Sequence, residues 1–122
     1  MYVIGKRFGF SASHRLDGLP HDHPCARLHG HNYEVEIVLA HPELDSCGMV
    51  AEFGRLGPLK AYVDRELDHR HLNDVLDGPA TSENLARHLF AWCRDHLEPD
   101  LVERLAAVRV SETDTSWAEC RP

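Results

Sequence analysis

No stretch of this chain approaches the ~18–20 consecutive apolar residues that a membrane-spanning helix needs, so the expectation is a protein without a membrane partner. Cysteine is scarce and scattered: Cys25, Cys47, Cys93 and Cys120 do not cluster and form no CxxC pair. That excludes a disulfide framework. The segment Met1-Tyr2-Val3-Ile4-Gly5-Lys6-Arg7 has neither an apolar h-region nor a small-residue cleavage site. The expectation is therefore a cytoplasmic protein with reduced thiols. Positive charge is also in deficit, with 13 Lys and Arg against 20 Asp and Glu and a net charge of −7. Such a balance argues against a nucleic-acid backbone as partner. It leaves room for an anionic small molecule, which needs only a local basic cluster. Internal repeats, low-complexity tracts and linkers are absent. At 122 residues the chain, 1–122, reads as one domain, large enough for a core and small enough to gain from oligomerisation.

What the chain has in abundance is histidine, ten in all. Three of them stand in a pattern: His29-Gly30-His31, with His14 upstream and Cys25 four residues before the pair. Alternate residues of a strand point to one face, about 6–7 Å apart. His29 and His31 can thus reach a common ion at about 2.0–2.1 Å, while Gly30 puts no side chain on the other face. His14 would come from a neighbouring strand. Three protein ligands leave the fourth tetrahedral position open, the arrangement of a catalytic rather than a structural zinc. The plainer alternative is a chance His-x-His pair on a solvated strand. His21 and His23 lie in the intervening loop as competing ligands, but without strand-fixed geometry they read as solvated or supporting residues.

Tyr2 to Ser13 reads as a strand that delivers His14 at its end. Arg15 to Leu28 reads as a loop, long enough to suggest function. Asn32 to Ala40 alternates, with Tyr33, Val35, Ile37 and Leu39 on one face and Glu34 and Glu36 on the other, as in a half-buried antiparallel strand. From Phe53 to Leu67, apolar residues at Phe53, Leu56, Leu59, Val63 and Leu67 have helical spacing, and Pro58 places the helix start near Leu56. A second helix opens at Pro79-Ala80-Thr81-Ser82, with Thr81 or Ser82 as N-cap, and Glu98-Pro99 ends it. Ala106 to Ser111 and Ser116 to Cys120 read as closing strands. Strand, strand, helix, helix, strand, strand predicts an α+β domain with both helices on one face of an antiparallel sheet. The other face needs cover, which a symmetric homo-oligomer supplies economically.

Other residues admit two readings each. Asp68 beside His69 could orient an imidazole for proton transfer, but on the residues alone the pair reads first as a polar helix end. Cys25 is either a buried small hydrophobe or, in a loop rich in His and Asp, a reactive thiolate. Glu112 could accept two hydrogen bonds from an amidine-like edge such as that of a pterin or guanine; the alternative is a surface turn. Arg15, Arg27 and Arg70 flank the site and could bind phosphate, or serve as ordinary surface residues.

Taken together, the segments Phe10-Ser11-Ala12-Ser13-His14-Arg15-Leu16, Cys25-Ala26-Arg27-Leu28-His29-Gly30-His31-Asn32, Leu67-Asp68-His69, Pro79-Ala80-Thr81-Ser82-Glu83-Asn84 and Glu112-Thr113 resemble the 6-pyruvoyl-tetrahydropterin synthase and 6-carboxytetrahydropterin synthase family. The resemblance implies the tunnelling fold, a four-stranded antiparallel sheet with two helices on one face in the order ββααββ. It also implies a hexamer of two stacked trimers with sites at subunit interfaces. It implies Zn2+ on His14, His29 and His31, and a catalytic set of Cys25, Asp68 and His69, reversing the helix-end reading of that pair. Glu112 would anchor the pterin ring, with Thr81, Ser82 and Glu83 lining the pocket and Arg27 on the substrate side. The spacing Cys25-x-x-x-His29 resembles the bacterial carboxypterin-forming group; animal biopterin enzymes have a longer gap, and another branch replaces the cysteine with glutamate.

The implied reaction converts 7,8-dihydroneopterin triphosphate to 6-carboxy-5,6,7,8-tetrahydropterin, releasing acetaldehyde and triphosphate, on the route to queuosine and other 7-deazapurines. Two other readings stand beside it: a 6-pyruvoyl-tetrahydropterin synthase, and a non-catalytic pterin-binding oligomer with a structural zinc. The chain departs from the family pattern at Glu52-Phe53, where relatives often carry aspartate, and at Gly57-Pro58.

Overall fold

A computed structural model describes residues 1–122. Two long strands, β1 (Tyr2–His14) and β2 (His29–His41), pair antiparallel over their whole length, from Tyr2 opposite His41 to His14 opposite His29. Helix α1 (Gly57–Glu66) follows, then the two-residue strand β3 (Arg70–His71), helix α2 (Ser82–His96) and a short helix α3 (Pro99–Glu103). Strands β4 (Leu105–Thr113) and β5 (Ser116–Cys120) close the chain. The sheet order is β3-β1-β2-β4-β5.

The α+β architecture agrees with the expectation, and three details differ. The four long strands are antiparallel as expected, but β3 adds a fifth, paired parallel to β1 at Ala12 and Ser13. Two residues carry no periodicity, so nothing in the sequence marks this strand. The first helix is preceded by a 3-10 turn, Phe53–Leu56, whose N-cap is Glu52; its carboxylate accepts the Gly54 N–H at 2.8 Å. The departure at Glu52 is thus absorbed as a cap, and Pro58 sits in the first turn of α1, where its missing donor is not needed. Pro99 ends α2, as expected, and also starts α3, which seats Leu101 in the core.

One cluster of 27 buried residues fills the space between the sheet and the helices. Strand alternation supplies Phe8, Phe10, Ala12, Val35, Ile37, Leu39, Val108 and Val110 from one sheet face. Helices α1 and α2 answer with Leu59, Val63, Leu85, Leu89 and Cys93. The opposite face is polar rather than apolar. Arg7 bonds Glu36 at 2.7 Å, Arg109 bonds Glu119 at 2.9 Å, and the Arg109 guanidinium lies 4.1 Å from the centre of the Trp117 ring. A charged face tolerates water, so this surface creates no demand for an apolar cover. No helix is long and apolar enough to cross a membrane.

Candidate metal centre and adjoining cleft

The β1–β2 register builds the histidine cluster. His14 ends β1 opposite His29, and Ala12 faces His31, so all three imidazoles rise from neighbouring positions on the helix-facing side of one ladder. Their ring centroids are 4.5, 4.9 and 5.0 Å apart, and one nitrogen from each lies within 4.8 Å of the others. Gly30 faces the other way, where a Cβ would stand 3.4 Å from the Ala12 carbonyl oxygen. His14 is fully buried.

Backbone carbonyls fix two of the rings. His14 Nδ1–H donates to Ala80 O at 2.7 Å, and His29 Nδ1–H donates to Arg27 O at 2.7 Å. Both Nε2 atoms then carry lone pairs, and they face each other at 2.9 Å. Facing lone pairs repel unless a proton or a cation lies between them. His31 Nε2 is buried beside them with no hydrogen-bond partner. A proton would serve two of these nitrogens; a cation serves all three. Tetrahedral ligands at 2.0–2.1 Å stand about 3.3–3.4 Å apart, inside the range this cluster spans. Burial lowers the His31 pKa against the pull of Glu112, and His14 and His29 lower it further, which keeps the ring neutral and able to ligate. The group could hold a metal ion.

The start of α2 ties this cluster to a cleft. Ala80, which holds His14, precedes Thr81, whose Oγ1 caps the helix by accepting the Asn84 N–H at 3.1 Å. Ser82 Oγ donates to Glu112 Oε1 at 2.7 Å, while Glu112 Oε2 lies 3.6 Å from His31 Nε2. Glu112 sits where the β4–β5 register shifts, between Val110 and Thr113, a device that re-aims a side chain. The cleft, about 210 Å³, is lined by Leu16, Thr81, Ser82, Glu83, Glu112 and Trp117. Four sequence candidates therefore meet here, although the Thr81 hydroxyl is already engaged as a cap.

Asp68 and His69 meet each other but face elsewhere. Asp68 Oδ1 accepts the Ser11 N–H at 2.9 Å, and its Oδ2 is 3.0 Å from His69 Nδ1. The Ser11 amide, then His69, hold the Asp68 carboxyl below the usual carboxylate range. His69 N–H donates back to Ser11 O at 2.6 Å, and its φ of +58° is the only positive value at a non-glycine residue. That backbone is strained for an L-residue and needs such anchoring. The 81 % exposed His69 side chain opens onto a depression shared with Ser11, Ser13, Asn32 and His71, which His31 also borders but His14 and His29 do not.

Cys25 sits half-buried in the 3-10 turn Pro24–Ala26. Its N–H donates to His23 Nδ1 at 3.1 Å, which gives His23 a capping role; His21 is exposed. The histidine cluster includes no thiol. Arg27 and Arg15 are exposed; Arg15 is paired with Asp17 at 3.2 Å and held through its backbone by Asn73. Arg70 lies beside His69. Sequence reasoning missed the Ala80 and Arg27 carbonyls, which leave no side-chain signature, and Tyr33, whose place two residues beyond His31 on the same face was available.

Residues 3–122 match the family profile described as 6-pyruvoyl tetrahydropterin synthase. The chain is 39 % identical to a 6-carboxy-5,6,7,8-tetrahydropterin synthase of Synechocystis sp., covering 97 % of this chain and 92 % of that one. It is 35 % identical to a 6-pyruvoyl tetrahydrobiopterin synthase of Dictyostelium discoideum, covering 98 % and 95 %. The fold superimposes on 6-pyruvoyl tetrahydropterin synthase of Caenorhabditis elegans with a TM-score of 0.85 at 26 % identity, covering 99 % of this chain and 95 % of that one.

Proposed function

The chain belongs to the 6-pyruvoyl tetrahydropterin synthase family, and from that premise we propose that it is a zinc-dependent lyase. Its substrate is 7,8-dihydroneopterin triphosphate and its products are 6-carboxy-5,6,7,8-tetrahydropterin, acetaldehyde and triphosphate. The observation that carries this reading is the convergence of three imidazole nitrogens, one of them 3.6 Å from a serine-held carboxylate. The chemistry supplied there by a bound zinc ion is Lewis acidity toward the side-chain hydroxyls.

This chain's residues do the rest. Glu112, its plane fixed by Ser82, accepts the N–H and amino hydrogens along one edge of the pterin. Glu83 lines the ring pocket, and Thr81 positions it by ordering the first turn of α2. Cys25, as thiolate, takes a proton from the side-chain carbon. His69, oriented by Asp68, carries protons to and from the oxygens, and Arg27 faces the triphosphate. His69 opens onto a depression lined mainly by Ser11, Ser13 and Asn32, away from His14 and His29, so a complete site draws on a second copy of the chain. A homohexamer of two stacked trimers meets that need. It also pairs the edge of β1, which β3 covers only at Ala12 and Ser13, and the edge of β5. The protein works as a single domain in the cytoplasm, where its four unpaired cysteines stay reduced, and its product feeds 7-deazapurine synthesis of the queuosine type.

A second reading, formation of 6-pyruvoyl-tetrahydropterin, is favoured by the 35 % identity to a synthase of that name. Incubation with 7,8-dihydroneopterin triphosphate and mass spectrometry of the products separates the two. Acetaldehyde with a one-carbon carboxyl side chain supports the lyase; a retained three-carbon side chain overturns it in favour of the second reading.

A further inference from the structure

Two side-chain polar atoms of this chain are buried with no hydrogen-bond partner, His31 Nε2 and the Tyr33 hydroxyl. The proposed metal centre accounts for the first. Nothing so far accounts for the second. Tyr33 is only 2 % exposed, with its ring stacked on Phe10 at 5.1 Å and set edge-on to His31 at 5.5 Å and His14 at 6.0 Å. It shares the helix-facing side of β2 with His29 and His31. The register that sets Glu34 opposite Ser111 and Val35 opposite Val110 brings it level with Glu112 on β4. Glu112 is also the one charged group that acts on its phenol.

A phenylalanine would pack the same ring without leaving a hydroxyl unpaired, so the hydroxyl costs stability unless something outside the chain pairs with it. The polar atoms around it are imidazole lone pairs and a carboxylate, all of them acceptors. The Ser82 hydroxyl of the adjoining cleft is a donor too, but it is already engaged with Glu112. We infer that the Tyr33 hydroxyl is a substrate-binding group, donating a hydrogen bond to an oxygen of the hydroxylated side chain of a pterin anchored at Glu112. The inference rests on the pterin reading above, and it adds a residue to that site.

The test uses the full-length, zinc-loaded protein and its Tyr33→Phe variant, with 7,8-dihydroneopterin as the probe and titration calorimetry as the measurement. One lost hydrogen bond weakens Kd roughly 3- to 10-fold. Zinc per chain stays the same, and Tm stays level or rises because an unpaired hydroxyl has gone. A Kd within twofold of the wild type, or a lower Tm with Kd unchanged, overturns the assignment, since the hydroxyl is then satisfied within the protein. Phe10→Leu loosens the ring's packing and keeps the hydroxyl; an equal loss of affinity there also overturns it. Glu112→Gln separates the two levels of the argument. If that variant loses the probe while Tyr33→Phe keeps it, only the tyrosine assignment falls. If neither change affects binding, or the wild type does not bind the probe, the pterin reading falls and takes the assignment with it.

Discussion

The two halves of the proposed site are built in different ways. The histidine half stands on the longest ladder in the protein, where thirteen cross-strand pairs fix the register and backbone carbonyls lock two of the three rings. The proton-moving half stands on turns: Cys25 on a 3-10 turn, Asp68 and His69 on the chain leaving α1, pinned to one residue of β1. Ligation needs several atoms held within tenths of an ångström, which a sheet provides. Proton transfer needs a group that can approach and withdraw, which a turn allows. Breaking the first half should therefore remove the ion and the activity together. His14→Ala deletes a fully buried imidazole of the proposed metal centre and strands the Ala80 carbonyl. Bound zinc, measured by elemental analysis, is expected to fall from one per chain to near none, with turnover down on the order of 10³-fold.

Breaking the second half should separate the two effects. Asp68→Asn, His69→Ala and Cys25→Ala each leave the three imidazoles and their anchors in place. Zinc content is expected to match the wild type while kcat falls by about 10²–10⁴-fold, the range for a missing general acid or base. Zinc lost in parallel with activity would show that the halves are one structural unit, and the comparison would fail. A Cys25→Ala enzyme with full zinc and full turnover would withdraw the proton-transfer role from the thiol.

The same division decides what was legible in the sequence. Strand alternation from Tyr33 to Leu39 and the His29-Gly30-His31 spacing encode one face of one strand, so period-two reasoning alone brings His29 and His31 together, and His14 joins them through the β1–β2 register. The Thr81 cap and the α2 boundaries follow from local side-chain chemistry in the same way. The two-residue β3 was invisible because pairing with β1 is decided by the path of the chain after α1, not by its own composition. The positive φ at His69 was hidden for a related reason, since no glycine advertises it. The charge pairing on the far sheet face was not legible. Alternation puts Glu34 and Glu36 on that face, but their alignment with Arg7 and Arg109 depends on register across three strands. Carbonyl anchors such as Ala80 O lie beyond side-chain reasoning altogether.

A smaller effect probes the link between the histidine half and the carboxylate of Glu112. The first turn of α2 touches His14 through Ala80 and Glu112 through Ser82, and Thr81 caps it. Thr81→Ala removes the acceptor for the Asn84 N–H at a cost of about 1 kcal/mol, measured by urea unfolding of the metal-free protein. With the carboxylate held less firmly, KM is expected to rise by a few-fold and kcat to change less. A change in kcat alone would mean that the cap serves proton transfer rather than substrate placement.

The smallest effect concerns pH and tests whether the turn-borne half is held electrostatically. The Asp68 carboxyl lies below its ordinary value because the Ser11 N–H, and then His69, stabilise its charged form. A group whose folded pKa is depressed stabilises the fold above its unfolded pKa, near 4, and that contribution is lost as pH falls through the lower folded value. The Tm difference between wild type and Asp68→Asn is therefore expected to be present at pH 5 and to shrink toward zero below about pH 4. The measurement belongs on metal-free protein, because acid also protonates the three imidazoles and would release an ion from them. Asp68 is close to the surface, so the contribution should also weaken in molar salt. A difference that persists unchanged in acid would mean that Asp68 holds Ser11 by shape and neutral hydrogen bonding. His69 would then owe its position to the backbone bond with Ser11 O alone, and the carboxylate would have no part in orienting it.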